Sequence, residues 1–347
     1  MNLRILRMAL ALVPAAALAD AADPPPDSIV LSNAALRAEI VPAWAGRLMF
    51  IGRPGGTNAF WTQPEAAGFT VDENGNPAWK NVGGEKTWVG SQGKGWRAFA
   101  GKESGSVWPP PAWFDSMPME VVSADSTNVV LRTAAHRGGD WVVALERSFT
   151  LESDALVVRQ RLIPERVGTV GPEAVPDDDR RLWSVSQIPR PDRVFLHLVG
   201  EGRHDRNGVM PAPVPTDRPG WTTIDVGGMA GDGKLMADGD RLAVPLPDGT
   251  GWLVLSQTAP ARHLSAFETP GRAMVFASKP DYRPTPYAEL EFAAYGPDAE
   301  QTVEFRIADD PFGPDGMADS RIRRSRHSPI DIPVARRKRR MKNGFDP

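Results

Sequence analysis

Hydrophobic and polar residues alternate along most of the chain with a period of two, the spacing of a strand with one buried face. In the segment LRAEIVP, for example, Leu36, Ala38 and Ile40 share one face. The pattern predicts strands at 28–32, 35–42, 47–51, 117–124, 127–135, 140–151, 154–163, 182–188, 193–199, 221–226, 241–246, 251–257, 262–268, 272–278, 287–295 and 301–307.

These segments recur at intervals of about 8–12 residues, with turn signals between them, as in sandwiches and barrels. Almost no segment has the period of a helix longer than two turns, and no internal repeat is visible. No linker divides the strands. The sequence therefore predicts one large all-β domain at 28–310, in which most strand pairs are antiparallel.

The stretch 81–115 departs from the pattern, because it is rich in Trp, Gly and Pro and follows neither period. We interpret it as a long functional loop. Indole faces stack on the C–H groups of a sugar while polar side chains take its hydroxyls. Asn81, Lys86, Trp88 and Trp96 are therefore predicted to bind substrate. The alternative is a surface loop that Trp and Pro pin against a sheet.

The strand at 287–295 carries the candidate chemistry. Alternation places Tyr287, Glu289 and Glu291 on one face, opposite a face of core residues. A partly desolvated carboxylate has a raised pKa and can act as a general base. Lys86 is a candidate cation between the two carboxylates, and His204, in a turn-rich segment, is a further catalytic candidate. The alternative is a solvated outer strand face.

Composition excludes several classes of site. The net charge of −3 gives no reason to expect a nucleic-acid partner, and the absence of cysteine excludes disulfides, thiol catalysis and cysteine metal sites. The five histidines show no ligand spacing, so no metal is predicted. No phosphate-binding or dinucleotide motif is present, and no cofactor is predicted.

Both ends of the chain differ from the strand-rich part. Arg4 and Arg7 precede a short apolar run at 8–18 and a small-residue site near Ala19, which predicts a signal peptide at 1–19. The run is too short to span a bilayer, so we expect a periplasmic or secreted protein. A Pro-rich linker follows at 20–27, and a basic tail, predicted to be disordered, occupies 311–347.

Several motifs together resemble a known superfamily. They are LSNAALRAEIVPAWAGRLMFIG with TNAFW, then NVGGEKTW, WPPPAWFDSMP, WSVSQIP and YAELEFAAYGP, and they extend over most of the predicted domain. The chain resembles an uncharacterised bacterial domain family in the galactose mutarotase-like, or aldose 1-epimerase-like, superfamily. The resemblance implies a β-supersandwich that binds carbohydrate, a sugar or glycan, in a concave aromatic-lined groove.

The same resemblance implies roles for individual residues. In aldose 1-epimerases a late Glu takes the proton of the anomeric hydroxyl and a central-strand His protonates the ring oxygen. Glu291 corresponds best to that Glu, with Glu289 as second choice, whereas Gln187 stands where the His is expected. An amide cannot be a general acid, so His204 or Lys86 would have to substitute. The alternative function is non-catalytic glycan binding in the periplasm.

Overall fold

The structure is a computed structural model that describes residues 27–63, 79–101, 105, 107–138, 141–164, 181–205, 208–258, 273–295 and 300–312. The predicted signal peptide, nearly all of the predicted linker and basic tail, and the predicted strand at 262–268 lie outside these residues. Among the described residues, no helix is both long and apolar enough to cross a membrane.

The described part of the chain is almost entirely strand, which confirms the predicted all-β class. The strands are β1 (Ile29–Ser32), β2 (Arg37–Val41), β3 (Arg47–Gly52), β4 (Glu85–Val89), β5 (Glu120–Ala124), β6 (Asn128–Arg132), β7 (His136–Gly138), β8 (Trp141–Leu151), β9 (Ala155–Pro164), β10 (Arg181–Pro189), β11 (Arg193–Asp205), β12 (Val214–Pro215), β13 (Trp221–Asp225), β14 (Gly233–Pro245), β15 (Trp252–Gln257), β16 (Ala273–Ala277), β17 (Tyr287–Tyr295) and β18 (Glu300–Ala308). The helices are a 3₁₀ turn at Pro42–Trp44, α1 (Lys94–Phe99) and α2 (Ala112–Asp115).

Antiparallel pairing arranges the strands in two layers. The first layer runs β1–β2–β3–β4–β10–β17–β16–β14, and the second runs β14–β15–β18–β9–β8–β6–β5. Strand β14 belongs to both layers, because Gly233–Ala237 pair with β16 and Arg241–Pro245 pair with β15. Strand β11 pairs along β14 and also with β13.

The space between the layers is mostly apolar but contains a buried polar network. Arg147 of β8 pairs with Glu85 of β4, and Ser184 donates to the other oxygen of Glu85 at 3.1 Å. A second chain of hydrogen bonds joins Thr87 and Gln160 and continues through the amides of β18 and β15. Because these buried groups have partners, they connect the layers without the full cost of desolvation.

The stretch 81–115 is not the long structureless loop that we predicted. It contains β4 at the centre of the first layer, followed by α1 and α2. Every residue of β4 is buried, and polar side chains point to both faces, so the local sequence shows no alternation of apolar and polar positions. The turn-rich segment 200–239 likewise contains the end of β11 and the beginning of β14.

Candidate functional site

Four of the predicted site residues lie on the face of the first layer that points away from the second layer: Lys86, Gln187, Glu289 and Glu291. Lys86 lies opposite Val185, Val185 lies opposite Glu291, and Gln187 lies opposite Glu289. Directly paired residues share a face of a sheet, and Glu85 and Thr87 point the other way, into the interlayer network. We call the surface formed by Lys86, Val185, Gln187, Glu289 and Glu291 the site face.

Glu291 is fully buried on this face. Its Oε2 atom accepts hydrogen bonds from Trp183 Nε1 at 2.6 Å and Lys234 Nζ at 2.7 Å. Its Oε1 atom is buried without a hydrogen-bond partner. Burial raises the pKa of Glu291 to about 7, with Lys234 acting in the opposite direction and Glu289 adding to the rise. The carboxyl group can therefore take up or release a proton near neutral pH.

Lys86 is the buried cation on the other side of Val185. Its ammonium lies 4.6 Å from the centroid of the Trp88 ring, a cation–π distance. Burial lowers the pKa of Lys86 to about 8, and Arg47 lowers it further, while Asp115, Glu289 and Glu291 oppose the decrease. The ammonium therefore remains mostly charged at neutral pH but releases its proton more readily than an exposed lysine does.

Glu289 and Gln187 form the second polar pair of the site face. Gln187 Nε2 donates to Glu289 Oε1 at 2.8 Å, and Gln187 Oε1 is buried without a partner. Both glutamates of β17 are buried. The alternative of a solvated outer strand face is therefore wrong for Glu289 and Glu291.

The approach to β4 is fixed by Gly83, Gly84 and an ion pair. Both glycines have positive φ, and a Cβ atom on Gly83 would lie 2.1 Å from the carbonyl oxygen of Trp61, so only glycine fits. Arg47 donates to the Gly83 carbonyl at 3.0 Å and pairs with Asp115 at 3.1 Å. These contacts fix where β4 begins and thus where Lys86 lies.

Trp88 and Trp96 do not wall an open groove, contrary to our prediction. Both indoles are buried, Trp96 completely, and their rings lie 5.2 Å apart. Trp88 also lies 5.0 Å from Trp183 and donates to Asp115 at 2.7 Å. The reason is that the two short helices after β4 fold back over the sheet and bring Trp96 and Asp115 onto Trp88.

Trp108 is the exposed ring of this group, with 43% of its surface accessible. Its centroid lies 4.9 Å from that of Trp79 and 6.2 Å from those of Trp88 and Trp96. We call Trp79, Trp88, Trp96, Trp108 and Trp183 the indole cluster. An indole that is packed on its neighbours and open to solvent can stack on a flat apolar ligand surface.

Tyr287 and Asn81 lie around a second aromatic group. The Tyr287 ring packs 4.9 Å from Tyr282 and 5.1 Å from Trp61, and burial raises the pKa of its phenol above the usual range. Asn81 donates to the Tyr282 hydroxyl at 3.4 Å, and Asn81 Oδ1 is buried without a partner.

His204, the third catalytic candidate, belongs to β11 rather than to a loop. Its backbone pairs with Met236, two residues from Lys234, and its side chain lies outside the described part of the structure. Among the described residues, no group of three or more His, Asp and Glu side chains could hold a metal ion.

Sequence reasoning missed Trp183, Lys234 and the Arg47–Asp115 pair. Trp183 could have been found, because it precedes Val185 and Gln187 at strand spacing in WSVSQIP and so shares their face. Lys234 follows Gly231-Asp232-Gly233, which is typical of a turn, and nothing local indicates that it reaches Glu291.

Comparison with solved structures identifies the fold. A candidate aldose 1-epimerase from Escherichia coli K12 covers 82% of this chain and 99% of its own, with a TM-score of 0.50 at 13% identity. A protein from Synechocystis sp. PCC 6803 covers 82% and 96%, with a TM-score of 0.52 at 13% identity. A TPR-domain containing protein from Parabacteroides distasonis ATCC 8503 covers 88% and 50%, with a TM-score of 0.51 at 14% identity.

The chain has the galactose mutarotase-like fold. The predicted fold class is thereby confirmed. No protein-family model and no curated sequence matches the chain. At such low identity the likeness concerns the galactose mutarotase-like fold alone, so the roles of individual residues have to be argued from the site itself.

Proposed function

We propose that this chain is an exported sugar-binding protein whose site transfers protons in the manner of an aldose 1-epimerase. The observation that carries the proposal is the state of Glu291. Its carboxyl group is buried, one oxygen is fixed by Trp183 and Lys234, and the other has no partner. Such a group is oriented and able to accept a proton from a ligand.

The other polar atoms of the site suit a polyhydroxylated ligand. Asn81 Oδ1, Gln187 Oε1 and Glu291 Oε1 are buried acceptors without a partner, and leaving them so costs about 1–3 kcal/mol each. Sugar hydroxyl groups would donate to them, and Lys86 would donate to a sugar oxygen. Trp108 would then stack on the apolar face of the sugar.

The chemistry assigned to Glu291 is proton abstraction. Its carboxylate accepts the proton of the anomeric hydroxyl, the bond between the anomeric carbon and the ring oxygen breaks with its electron pair on the ring oxygen, and an open-chain aldehyde with an alkoxide forms. Rotation of the aldehyde and return of the same proton on ring closure give the other anomer. Because its pKa is near 7, Glu291 can take and return the proton at neutral pH.

The alternative function is non-catalytic glycan binding, and one observation favours it. Gln187 stands where the resemblance implies a general acid, and its amide donates to Glu289 instead. Under this alternative the same acceptors and the same exposed indole hold a glycan, but anomers do not interconvert.

Export is the part of the proposal that rests on residues 1–19. Their charged start, short apolar run and small residues are typical of a secretory leader. Fractionation of cells that produce the full chain should place it in the periplasm or the medium, with its N-terminus near Asp20. Retention of the uncleaved chain in the cytoplasm would contradict this part alone.

Exchange spectroscopy by ¹H NMR tests the activity, since it measures the interconversion of α and β anomers directly. The probes are D-glucose, D-galactose, D-xylose and L-arabinose at pH 7.5. We expect faster exchange of at least one sugar with the wild-type chain, and a loss of about 10²–10⁴-fold in Glu291→Gln.

Glu120→Gln is the matched control, because it removes an exposed carboxylate from β5 in the other layer. It should exchange anomers like the wild type. Binding without exchange, measured by calorimetry, would support the non-catalytic alternative. No binding of any probe would reject both sugar functions.

A further inference from the structure

We infer that Lys86 is the general acid of this site, giving a proton to the ring oxygen of the sugar while Glu291 takes the proton of the anomeric hydroxyl. The inference rests on the proposed function. Lys86 would be the general acid that the amide of Gln187 cannot be. The inference assigns the second half of the reaction to a residue on the opposite side of the same face.

The first support is the position of the two groups. Lys86 and Glu291 belong to strands β4 and β17, which flank β10, and both are in register with Val185. Two strand spacings separate their backbones by about 10 Å, and their side chains leave the sheet on the same face. Val185 lies between them on that face, so a sugar ring that contacted both groups would lie over Val185.

The second support is the way in which charges are paired around the site. Arg47 is paired with Asp115 at 3.1 Å, Lys234 with Glu291 at 2.7 Å, and Arg147 with Glu85. Within the described residues, the Lys86 ammonium has no carboxylate at ion-pair distance, and the Trp88 ring is its close electrostatic contact. A buried ammonium that is not held by a carboxylate is available to donate to a ligand oxygen.

The third support is that the two groups are matched in acidity. Burial raises the pKa of Glu291 to about 7 and lowers the pKa of Lys86 to about 8. The two values therefore lie about one unit apart, which is roughly a tenfold preference for the charged pair over the neutral one. The neutral pair is therefore only about tenfold less populated than the charged pair, so a reaction that passes through it has a small cost.

The step balances in both directions. Glu291 accepts the anomeric proton, Lys86 donates its proton to the ring oxygen as the ring opens, and the products are a neutral carboxyl, a neutral amine and the aldehyde. On closure the amine recovers the proton of the former ring oxygen, and the carboxyl returns its proton to the new anomeric oxygen.

Lys86→Arg and Lys86→Met test the inference together. Arginine keeps the positive charge but does not release its proton, whereas methionine removes both charge and proton. The measurements are NMR exchange with the four sugars named above, calorimetric binding of the same sugars, and thermal unfolding to confirm the fold. We expect both variants to lose about 100-fold or more in kcat, with Lys86→Arg binding within about threefold of wild type. We also expect kcat/KM of the wild type to decline above pH 8, as Lys86 loses its proton, and this decline to be absent from both variants.

Each other outcome overturns a defined part of the assignment. Wild-type kcat in Lys86→Arg, with exchange lost in Glu291→Gln, would overturn the role of Lys86 and leave the proposed function. Parallel losses of binding and turnover in Lys86→Arg would make Lys86 a binding residue only. Sugar binding by the wild type without anomer exchange, or no binding at all, would overturn the inference, and the latter result would also reject the proposed function.

Discussion

The side-chain amide of Gln187 donates a hydrogen bond of 2.8 Å to the Glu289 carboxylate, across the paired strands β10 and β17. Both side chains are buried. This glutamine stands where the resemblance implied a histidine, and because an amide does not give up a proton, the pair holds the Glu289 carboxylate in place. Under the proposed function, Glu289 therefore binds the ligand, and Glu291 is the residue that accepts the proton.

This pair predicts a non-additive effect on stability. Gln187→Leu leaves the buried Glu289 carboxylate without its amide donor and should lower the free energy of unfolding by about 1–3 kcal/mol. Gln187→Leu/Glu289→Leu removes both partners and should be nearly neutral. Urea denaturation of the wild type, both single variants and the double variant measures the coupling. Equal and additive losses would show that the hydrogen bond contributes nothing.

Lys234 is predicted to control the protonation of Glu291. Its ammonium lies 2.7 Å from the carboxylate and lowers the pKa of Glu291 against the larger effect of burial. Lys234→Met should therefore raise the pKa of Glu291 above about 7 and move the acidic limb of the activity profile to higher pH. Titration of the glutamate carboxyl ¹³C signals measures the shift, with Glu291→Gln identifying the signal.

Lys234→Arg is the matched control, because it keeps a cation beside Glu291. Its titration should resemble that of the wild type. If Lys234→Met leaves the pKa of Glu291 unchanged, the ion pair does not set the acidity of the site.

Lys86 is predicted to reduce stability at neutral pH. Its pKa is about 8 in the folded chain, below the ordinary value of 10.5, so the folded state binds fewer protons than the unfolded state between these values. The penalty is fully present below pH 8 and is lost as the pH rises towards 10.5. Lys86→Met should therefore raise the free energy of unfolding by about 3 kcal/mol at pH 7, and the gain should shrink above pH 8.

Chemical denaturation between pH 6 and pH 10 checks this trend. Lys279→Met is the control, because the Lys279 side chain is half-exposed and lies 3.4 Å from Asp281. That variant should show no comparable gain. A loss of stability in Lys86→Met at pH 7 would mean that the packing of the aliphatic chain outweighs the cost of burying the charge.

The sequence predicted strands well where one face is apolar and the other polar. The predicted strand 287–295 coincides with β17, and 154–163 differs from β9 by one residue at each end. The alternation pattern did not predict β4 or the first half of β14. In β4 the polar residues Glu85 and Lys86 are buried on opposite faces, so its sequence shows no alternation of apolar and polar positions.

Strand alternation predicted which site residues of one strand share a face, but not which residues of other strands they contact. Alternation correctly placed Glu289 and Glu291 together on the face opposite the core, and the pairing of β10 with β17 added Gln187. The contacts of Glu291 depend on strands far apart in sequence, since Trp183 lies 108 positions away and Lys234 lies 57. Such contacts follow from the order of strands in the sheet, which local patterns do not determine.

Trp108 is predicted to be the indole that reports sugar binding. Trp88, which the sequence predicts to bind substrate, is buried between Trp96 and Trp183, and Trp88→Ala should cost about 3–5 kcal/mol of stability. Trp108 is 43% exposed and rests on Trp79. Trp108→Ala should therefore fold normally and weaken sugar binding by about 1 kcal/mol, roughly fivefold.

Calorimetry and tryptophan fluorescence with the four sugars used above measure this loss. Trp108→Phe should retain most of the affinity, because a smaller aromatic face still stacks, and Val214→Ala, which shortens an exposed apolar side chain of β12, should bind like the wild type. Unchanged affinity in Trp108→Ala would mean that the sugar enters the site without touching the exposed face of the indole cluster. The buried acceptors around Glu291 would then have to provide the binding energy by themselves.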